Sequence, residues 1–399
     1  MAVVVQKYGG SSLGTTEKIK SIAQGIVNRK NQNTDLVIVV SAMGDTTDDL
    51  LLLSKNITEE PDKRELDALL STGEIISSAL LAMAIKSLGY DAISYTAHQI
   101  GIQTSGQYGK ALIKDIQDKK IKKSLKEGKV IIVAGFQGIN GDGDVTTLGR
   151  GGSDTTAVAL AVKLEGSCEI YTDVDGIYSV DPRAYSAAKK LDEIEYEEML
   201  ELASLGAQVM HSRSIELAQK YGITIYVGRS NSNIIGTLIR EEKNVNMERK
   251  PVTGMATSDE DVAVTLQNIP KDVNILATIF ENIGYKRINI DMISQTSSMD
   301  GKVNVSFTIP KESLKESLKI IDGLIVDNNV IVDEDITKFS MVGLGMKTTS
   351  GVAARMFRVF NENNIEIKMI TTSEIRITCA IKTEDKLKAI QFIAKEFNL

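Results

Sequence analysis

From Met1 to about Thr237, short β-branched runs alternate with stretches of helical periodicity. The pattern predicts strands at 2–8, 36–42, 91–97, 129–136, 168–172 and 223–228, and helices at 16–30, 47–55, 62–88, 154–165 and 196–221. Such alternation is the mark of an α/β domain built on a largely parallel sheet. In the first helix Ile19, Ile22, Ala23, Ile26 and Val27 recur at i, i+3, i+4, i+7 and i+8, giving one apolar stripe to lay on that sheet. The pattern then stops. Residues 240–251, REEKNVNMERKP, are charged, lack apolar periodicity and end in a proline, which predicts a linker at 241–251 after a first domain at 1–240.

The remainder repeats itself. A shift of 77 residues lays Ala277 on Ala354, Phe280 on Phe357, Ile288 on Ile365, Ile290 on Ile367, Met292 on Met369 and Ile293 on Ile370 without a gap. Each copy reads as strand, helix, strand, strand, helix, the order of a ferredoxin-like βαββαβ module. The first copy, 260–335, has its closing strand in 325–335, whereas the second runs out at Leu399 directly after a helix. The segment 252–258, VTGMATS, is the unassigned candidate for the missing strand, so the second module is expected to consist of 252–258 with 336–399, and the first to be inserted into it.

Composition narrows the chemistry. A chain of 399 residues with 42% hydrophobic positions can fill two or three cores, and 46 Lys plus Arg against 53 Asp plus Glu, without a basic block, disfavours a nucleic-acid surface. The N-terminus lacks the charged and apolar regions of a leader, and no run reaches the ~18 apolar residues of a membrane span. Cys168 and Cys379, far apart inside apolar runs, read as reduced core thiols, so a cytoplasmic protein is expected. With only two cysteines and two histidines, chemistry that needs an imidazole base, a thiolate or a tightly held zinc gives way to positioning and electrostatics.

Four segments are dense in the residues such chemistry uses. Lys7-Tyr8-Gly9-Gly10-Ser11-Ser12 ends the first strand: two glycines let backbone N–H groups approach phosphate oxygens and Lys7 adds a mobile charge, although a plain surface turn has the same composition. The spacing of Gly9 and Gly14 resembles a P-loop, but Thr15 stands where the lysine belongs. In Thr147-Leu148-Gly149-Arg150-Gly151-Gly152-Ser153-Asp154, Ser153 fits an N-cap and Arg150 sets a guanidinium fork beside a helix start, suited to a carboxylate. Asp154 can orient Lys7 or a metal–phosphate group. The run 171–183 holds Asp-Gly and Asp-Pro turns together with Tyr178 and Arg183, which can hold a nucleoside and its phosphates. Glu74, in Ser71-Thr72-Gly73-Glu74, is a carboxylate on an otherwise apolar helix.

Taken together KYGGSS, SAMGDTTDD (41–49), STGE (71–74), GFQGINGDGDVTTLGRGGSDTTA (135–157) and TDVDGIYSVDPR (172–183) resemble, in order and spacing, the amino-acid-kinase family and within it the aspartokinases, and the C-terminal repeat resembles their paired ACT regulatory modules. The resemblance implies a three-layer αβα catalytic domain, ATP and Mg²⁺ as cofactors, and L-aspartate as substrate. It implies that Lys7 contacts the transferring phosphoryl group, with Asp154 organising it, and that Gly9, Gly10 and Ser11 meet the phosphates. Ser41, Thr47, Glu74, Phe136, Arg150 and Ser153 would surround aspartate; Thr172, Asp173, Tyr178, Asp181, Pro182 and Arg183 would hold ATP. In the ACT modules, Asn274, Leu276, Asp291, Gln295 and Thr296 would receive an amino-acid effector, lysine with threonine as a possible second, in a homodimer or dimer of dimers paired through those modules. Three positions depart from the family pattern: many relatives have Lys where Gln208 stands, Pro where Ser212 stands, and glycine where Asn274 stands.

This inventory suits the chemistry. The side-chain carboxylate of aspartate, with a reference pKa near ~3.9, is an anion at neutral pH and attacks a phosphoryl group without a general base. The expected activity is therefore ATP-dependent formation of 4-phospho-aspartate. The two rival readings are a sister kinase for glutamate or a similar acid, and a non-catalytic amino-acid sensor retaining the kinase shell.

Overall fold

The protein is described from a computed structural model over residues 3–206, 209–241, 250–270, 273–296, 301–324 and 329–399. It forms two compact units. The first comprises Met1–Ile177, Lys190–Ser204 and Gln208–Val245, and the second Tyr178–Lys189, Leu205–Ala207 and Asn246–Leu399.

Among the described residues the first unit is centred on an eight-stranded sheet. Its strands run in the order Glu193–Ile194, Thr237–Ile239, Ile225–Arg229, Ser167–Thr172, Val3–Tyr8, Asp35–Val40, Val130–Ala134 and Ala92–Tyr95. All neighbours are parallel except Ile225–Arg229 with Thr237–Ile239. Leu36 to Val40 and Val130 to Ala134 are buried throughout, as continuous apolar strands covered on both faces must be. Helix Thr16–Lys30 lays its predicted stripe on one face beside Thr72–Ser87. Helix Gly152–Leu164, with Ser212–Tyr221 alongside, is applied to Val3–Tyr8.

Two expected helices are each divided in two. The stretch 62–88 divides into Lys63–Leu70 and Thr72–Ser87. At the break the Ala68 and Leu69 carbonyls accept from the Ser71 and Thr72 hydroxyls, at 2.8 and 2.7 Å, and Gln137 Nε2 donates to the Ser71 carbonyl at 3.0 Å. The stretch 196–221 divides into Tyr196–Ser204 and Ser212–Tyr221, the second capped by His211 Nδ1, which accepts from the Arg213 N–H. The helical stretch Lys63–Ser87 is long and apolar enough to cross a membrane by length and composition, yet it buries Leu70, Ser77, Leu81 and Ile85 in the unit. A second sheet that periodicity did not announce, Leu112–Ile116, Ile102–Ser105, Gln137–Ile139 and Val145–Thr147 in that order, has strands of three to five residues.

In the second unit two four-stranded sheets have the same order. One runs Ile293–Gln295, Lys302–Pro310, Asp261–Pro270, Val330–Asp333; the other runs Ile367–Thr372, Arg376–Ile381, Thr337–Val342, Gly254–Ser258. Gly254–Ser258 pairs antiparallel with Thr337–Val342 and so occupies in one sheet the place that Val330–Asp333 holds in the other. Each sheet covers its own core, around Phe307 in the first and around Phe339 and Phe360 in the second.

Candidate active site

Strand Val3–Tyr8 lies between two parallel partners, with Lys7 level with Val39 on one side and Ile170 on the other. Lys7 Nζ reaches Asp154 Oδ1 on helix Gly152–Leu164 at 2.6 Å, and the two side chains are only 12% and 10% exposed. At this depth removing either partner strands the other charge with little water to receive it. The ammonium is thereby fixed near the carboxyl ends of the parallel strands, where α/β sheets bind ligands.

Glycine lets the backbone crowd around that ammonium. A side chain at Gly10 would come within 2.9 Å of the Ala42 carbonyl, and the Gly10 carbonyl accepts from Gly44 N–H at 3.0 Å. The turns after the first two strands therefore touch through main chain. The Gly9 N–H is already donated to the Tyr171 carbonyl, at 3.2 Å, so of the paired glycines only Gly10, followed by Ser11, leaves an N–H free among the described residues. A cleft of about 340 Å³ opens beside this turn and brings Ser11 together with Lys18, Thr172, Asp173, Arg229 and Ser230.

The glycine-rich segment behind Arg150 is shaped differently from its expected cap. Gly149 and Gly151 have φ of +77° and +66°, and Gly151 itself is the N-cap, so Ser153 and Asp154 lie inside the first turn. A Cβ at Gly151 would meet His211 Cβ at 2.1 Å, and one at Gly152 would meet the Phe136 ring at 2.8 Å. Ser153 Oγ lies against Gly135, whose absent side chain makes room for it. Phe136 carries φ +67°, and its N–H donates to Thr156 Oγ1 at 3.2 Å. Arg150 is exposed and forms no ion pair among the described residues, which leaves its fork open to a ligand.

Glu74 is buried, 3% exposed. Its Oε1 accepts from the Ala42 N–H at 3.1 Å, while Oε2 has no partner. Burial pushes its pKa up to about 7, against the pull of the Ala42 hydrogen bond. Ser41 and Thr47 are half-buried, the first next to Ala42 in the chain and the second in the first turn of helix Thr46–Ile57. A buried carboxyl with one unmatched oxygen is poised to take a cation.

The other expected residues are divided between the two units. Thr172 and Asp173 belong to the first unit, whereas Tyr178, Asp181, Pro182 and Arg183 belong to the second, where Arg183 pairs with Asp181 at 2.9 Å. Gln208 lies outside the described residues. In the second unit Asn274 and Leu276 stand in the first turn of helix Val273–Tyr285, and Gln295 and Thr296 are exposed. Asp291 is not a bare carboxylate awaiting a ligand: it pairs with Lys338 at 2.9 Å and with Arg376 at 3.8 Å. Motif reading passed over His211, Asp67 and Arg213. His211 sits against Gly151, with burial and the neighbouring Arg213 charge holding its pKa below the ordinary value. Its place directly before a helix start was the available signal.

Comparison with known proteins identifies the relatives of the chain. The amino acid kinase family model matches residues 2–229, and an ACT domain model matches 262–323 and 339–397. The aspartokinase of Bacillus sp. (strain MGA3) is 45% identical over 404 aligned positions, covering 100% of this chain and 98% of its own. The chain belongs to the aspartokinase family. Among solved structures, E. coli aspartokinase III in complex with aspartate and ADP superposes with a TM-score of 0.84 at 24% identity, each chain covered completely. The same E. coli enzyme in complex with lysine and aspartate gives 0.78 at 25% identity, with 99% of each chain covered.

The Glu74 carboxyl carries a pH signature. Its folded pKa is raised, so it favours the folded state below its unfolded pKa, and that contribution is lost as pH rises towards about 7. Glu74→Gln is expected to raise the Tm relative to wild type more at pH 8 than at pH 5. A difference between the two proteins that is the same at both pH values contradicts the buried-carboxyl assignment.

Proposed function

We propose that this chain transfers the γ-phosphoryl group of ATP to the β-carboxylate of L-aspartate, giving 4-phospho-L-aspartate and ADP at the head of the route to lysine, threonine and methionine. The observation that carries this reading is the buried Lys7–Asp154 pair, placed between the glycine turn and the helix start that bears Arg150. One P–O bond forms to the attacking carboxylate oxygen as the bond to the ADP oxygen breaks. No proton moves. What the site must supply is alignment of two anions and neutralisation of the charge spread over the transferring group.

Lys7 is assigned the phosphoryl oxygens, with Asp154 holding its ammonium in place. Gly10 and Ser11 offer N–H groups to the phosphates, Gly9 makes room beside the Lys7 ammonium, and Thr172 and Asp173 take the rest of the nucleotide within this unit. Arg150 receives the α-carboxylate of aspartate bidentately. Glu74 takes its ammonium, which draws the Glu74 carboxyl into its ionised form, and Ser41, Thr47, Phe136 and Ser153 line the remainder. Among the described residues no group of three or more His, Cys, Asp or Glu side chains gathers as a metal site. Mg²⁺ would arrive as the ATP complex, with phosphate and water ligands, and supply further charge neutralisation.

Residues 1–240 are taken as the catalytic domain, 241–251 as a linker, and 260–335 and 252–258 with 336–399 as two regulatory modules of a cytoplasmic homodimer or dimer of dimers. The named lysine complex of the E. coli relative supports lysine as effector, with threonine as a possible second, bound around Asn274, Leu276, Asp291, Gln295 and Thr296. An effector ammonium then competes with Lys338 and Arg376 for Asp291.

An ADP-release assay with aspartate, glutamate or no amino acid tests the activity: release is expected with aspartate alone. Equal turnover with glutamate points to the sister kinase, and no turnover with any acid points to the sensor. Lys7→Ala should cost roughly 10²–10³ in kcat while the protein stays folded, the usual loss for one electrostatic donor. A soluble Lys7→Ala enzyme with wild-type kcat removes Lys7 from the chemistry.

Arg150→Lys keeps the charge but loses the fork, so KM for aspartate should rise well beyond any change in KM for ATP. Equal changes in both would move Arg150 to the nucleotide. Asp291→Ala should raise the lysine concentration needed for half-inhibition and leave uninhibited kcat unchanged, since Lys338 retains Asp261 at 2.9 Å. A wild-type enzyme indifferent to lysine and threonine, singly and together, ends the regulatory reading.

A further inference from the structure

The segment that delivers Arg150 is gripped from two sides by charged side chains. On helix Lys63–Leu70, Asp67 is 1% exposed. Its Oδ2 accepts from the Gly109 N–H at 2.8 Å and the Thr147 N–H at 2.7 Å, and its Oδ1 accepts from Thr147 Oγ1 at 2.7 Å. On helix Ser212–Tyr221, Arg213 Nη1 donates to the Leu148 carbonyl at 2.6 Å and Nη2 to the Ala111 carbonyl at 3.1 Å. The Ala111 N–H donates in turn to the Thr147 carbonyl at 3.0 Å. Carboxylate and guanidinium thus bind the same two backbone turns, 109–111 and 147–148, one taking N–H groups and the other supplying donors to C=O groups.

Neither charge is spent on an ion pair among the described residues. Asp67 is devoted to two amides and a hydroxyl, Arg213 to two carbonyls. A half-buried guanidinium that gives its fork to main-chain oxygens fixes their separation as well as their position, which an ammonium on a flexible stem does not. The next residue, Gly149, is so close to the Gly109 carbonyl that a Cβ there would stand at 2.8 Å. Arg150 follows at once, then the Gly151 cap and the first turn carrying Ser153 and Asp154. One glycine, Gly149, separates the gripped Leu148 from Arg150.

We propose that Asp67 and Arg213 are positioning residues for the reaction: together they set the place of Arg150 and of the helix start behind it, so that the fork meets the substrate carboxylate in register. This rests on the assignment of Arg150 to aspartate. The proposal makes a demand that a general structural role does not: the effect of Arg213 must run through Arg150 and appear in the same kinetic parameter.

The test uses the full-length enzyme, with Arg213→Met, Arg213→Lys and Asp67→Asn each made with and without Arg150→Lys, and kcat, both KM values and Tm measured for every variant. Arg213→Met should raise KM for aspartate about tenfold, in keeping with the cost of slight misplacement of a binding group, and leave KM for ATP within about twofold. Arg213→Lys should recover only part of the loss, and Asp67→Asn should shift the same parameter. On the Arg150→Lys background Arg213→Met should add less than about twofold, because the fork it positions is gone.

Effects that multiply in the double variant, or KM values that move together or not at all, overturn the proposal. Loss of folding in both Arg213→Lys and Asp67→Asn overturns it too, by making the two residues part of the fold's own support. If Arg150→Lys leaves KM for aspartate unchanged, the assignment of Arg150 has failed. The positioning claim is then still decided by whether the Arg213 and Arg150 variants alter one common parameter without adding.

Discussion

Everything in the first unit is arranged around one buried ion pair, Lys7 with Asp154. An ammonium on a central parallel strand is costly to bury alone, and the carboxylate on the adjoining helix offsets that cost. Because the partner comes from the first turn of Gly152–Leu164, the pair also ties the sheet to a helix start, where backbone N–H groups and the helix dipole favour anions. A cation held in this way is ready for a phosphoryl group without having to reorganise when charge develops.

The pair can serve chemistry only if ligands can come close to it, and glycine provides that access. Gly10 permits main-chain contact between the first two strand-end turns, Gly151 admits His211, and Gly152 admits the Phe136 ring. Each glycine lets a neighbouring main chain or side chain pack directly on the backbone. Glu74 adds a buried carboxyl that is costly to ionise until a cation meets it. In the proposed reading the exposed fork of Arg150 and the buried carboxyl of Glu74 take opposite ends of the amino acid.

Much of this was legible because parallel strands buried on both faces leave an unmistakable trace. Leu36 to Val40 and Val130 to Ala134 announce themselves as apolar runs, and the duplicated modules could be found from their own repeat. What was not legible depended on partners far along the chain. The Ser71 carbonyl, at the break between two helices, is reached by Gln137, 66 positions away. The grip of Arg213 falls on Leu148 and Ala111, which look like ordinary apolar residues. Ser153 was read as an N-cap because serine favours that place, but the positive φ of Gly149 and Gly151 moves the helix start two residues earlier than a cap at Ser153 would allow. At Asp291 the charge was evident and its satisfaction by Lys338 was not.

The central claim is that Lys7 and Asp154 act as one device, the carboxylate serving to hold the ammonium where the phosphoryl group passes. A double-mutant cycle on kcat, with Lys7→Ala, Asp154→Ala and the two combined, addresses it most directly. If the pair is a single device, removing Asp154 from an enzyme that already lacks Lys7 costs almost nothing further, and the double variant is no slower than the worse single one. Losses that multiply across the cycle would mean that the two residues contribute separately and that the ion pair is incidental to the chemistry.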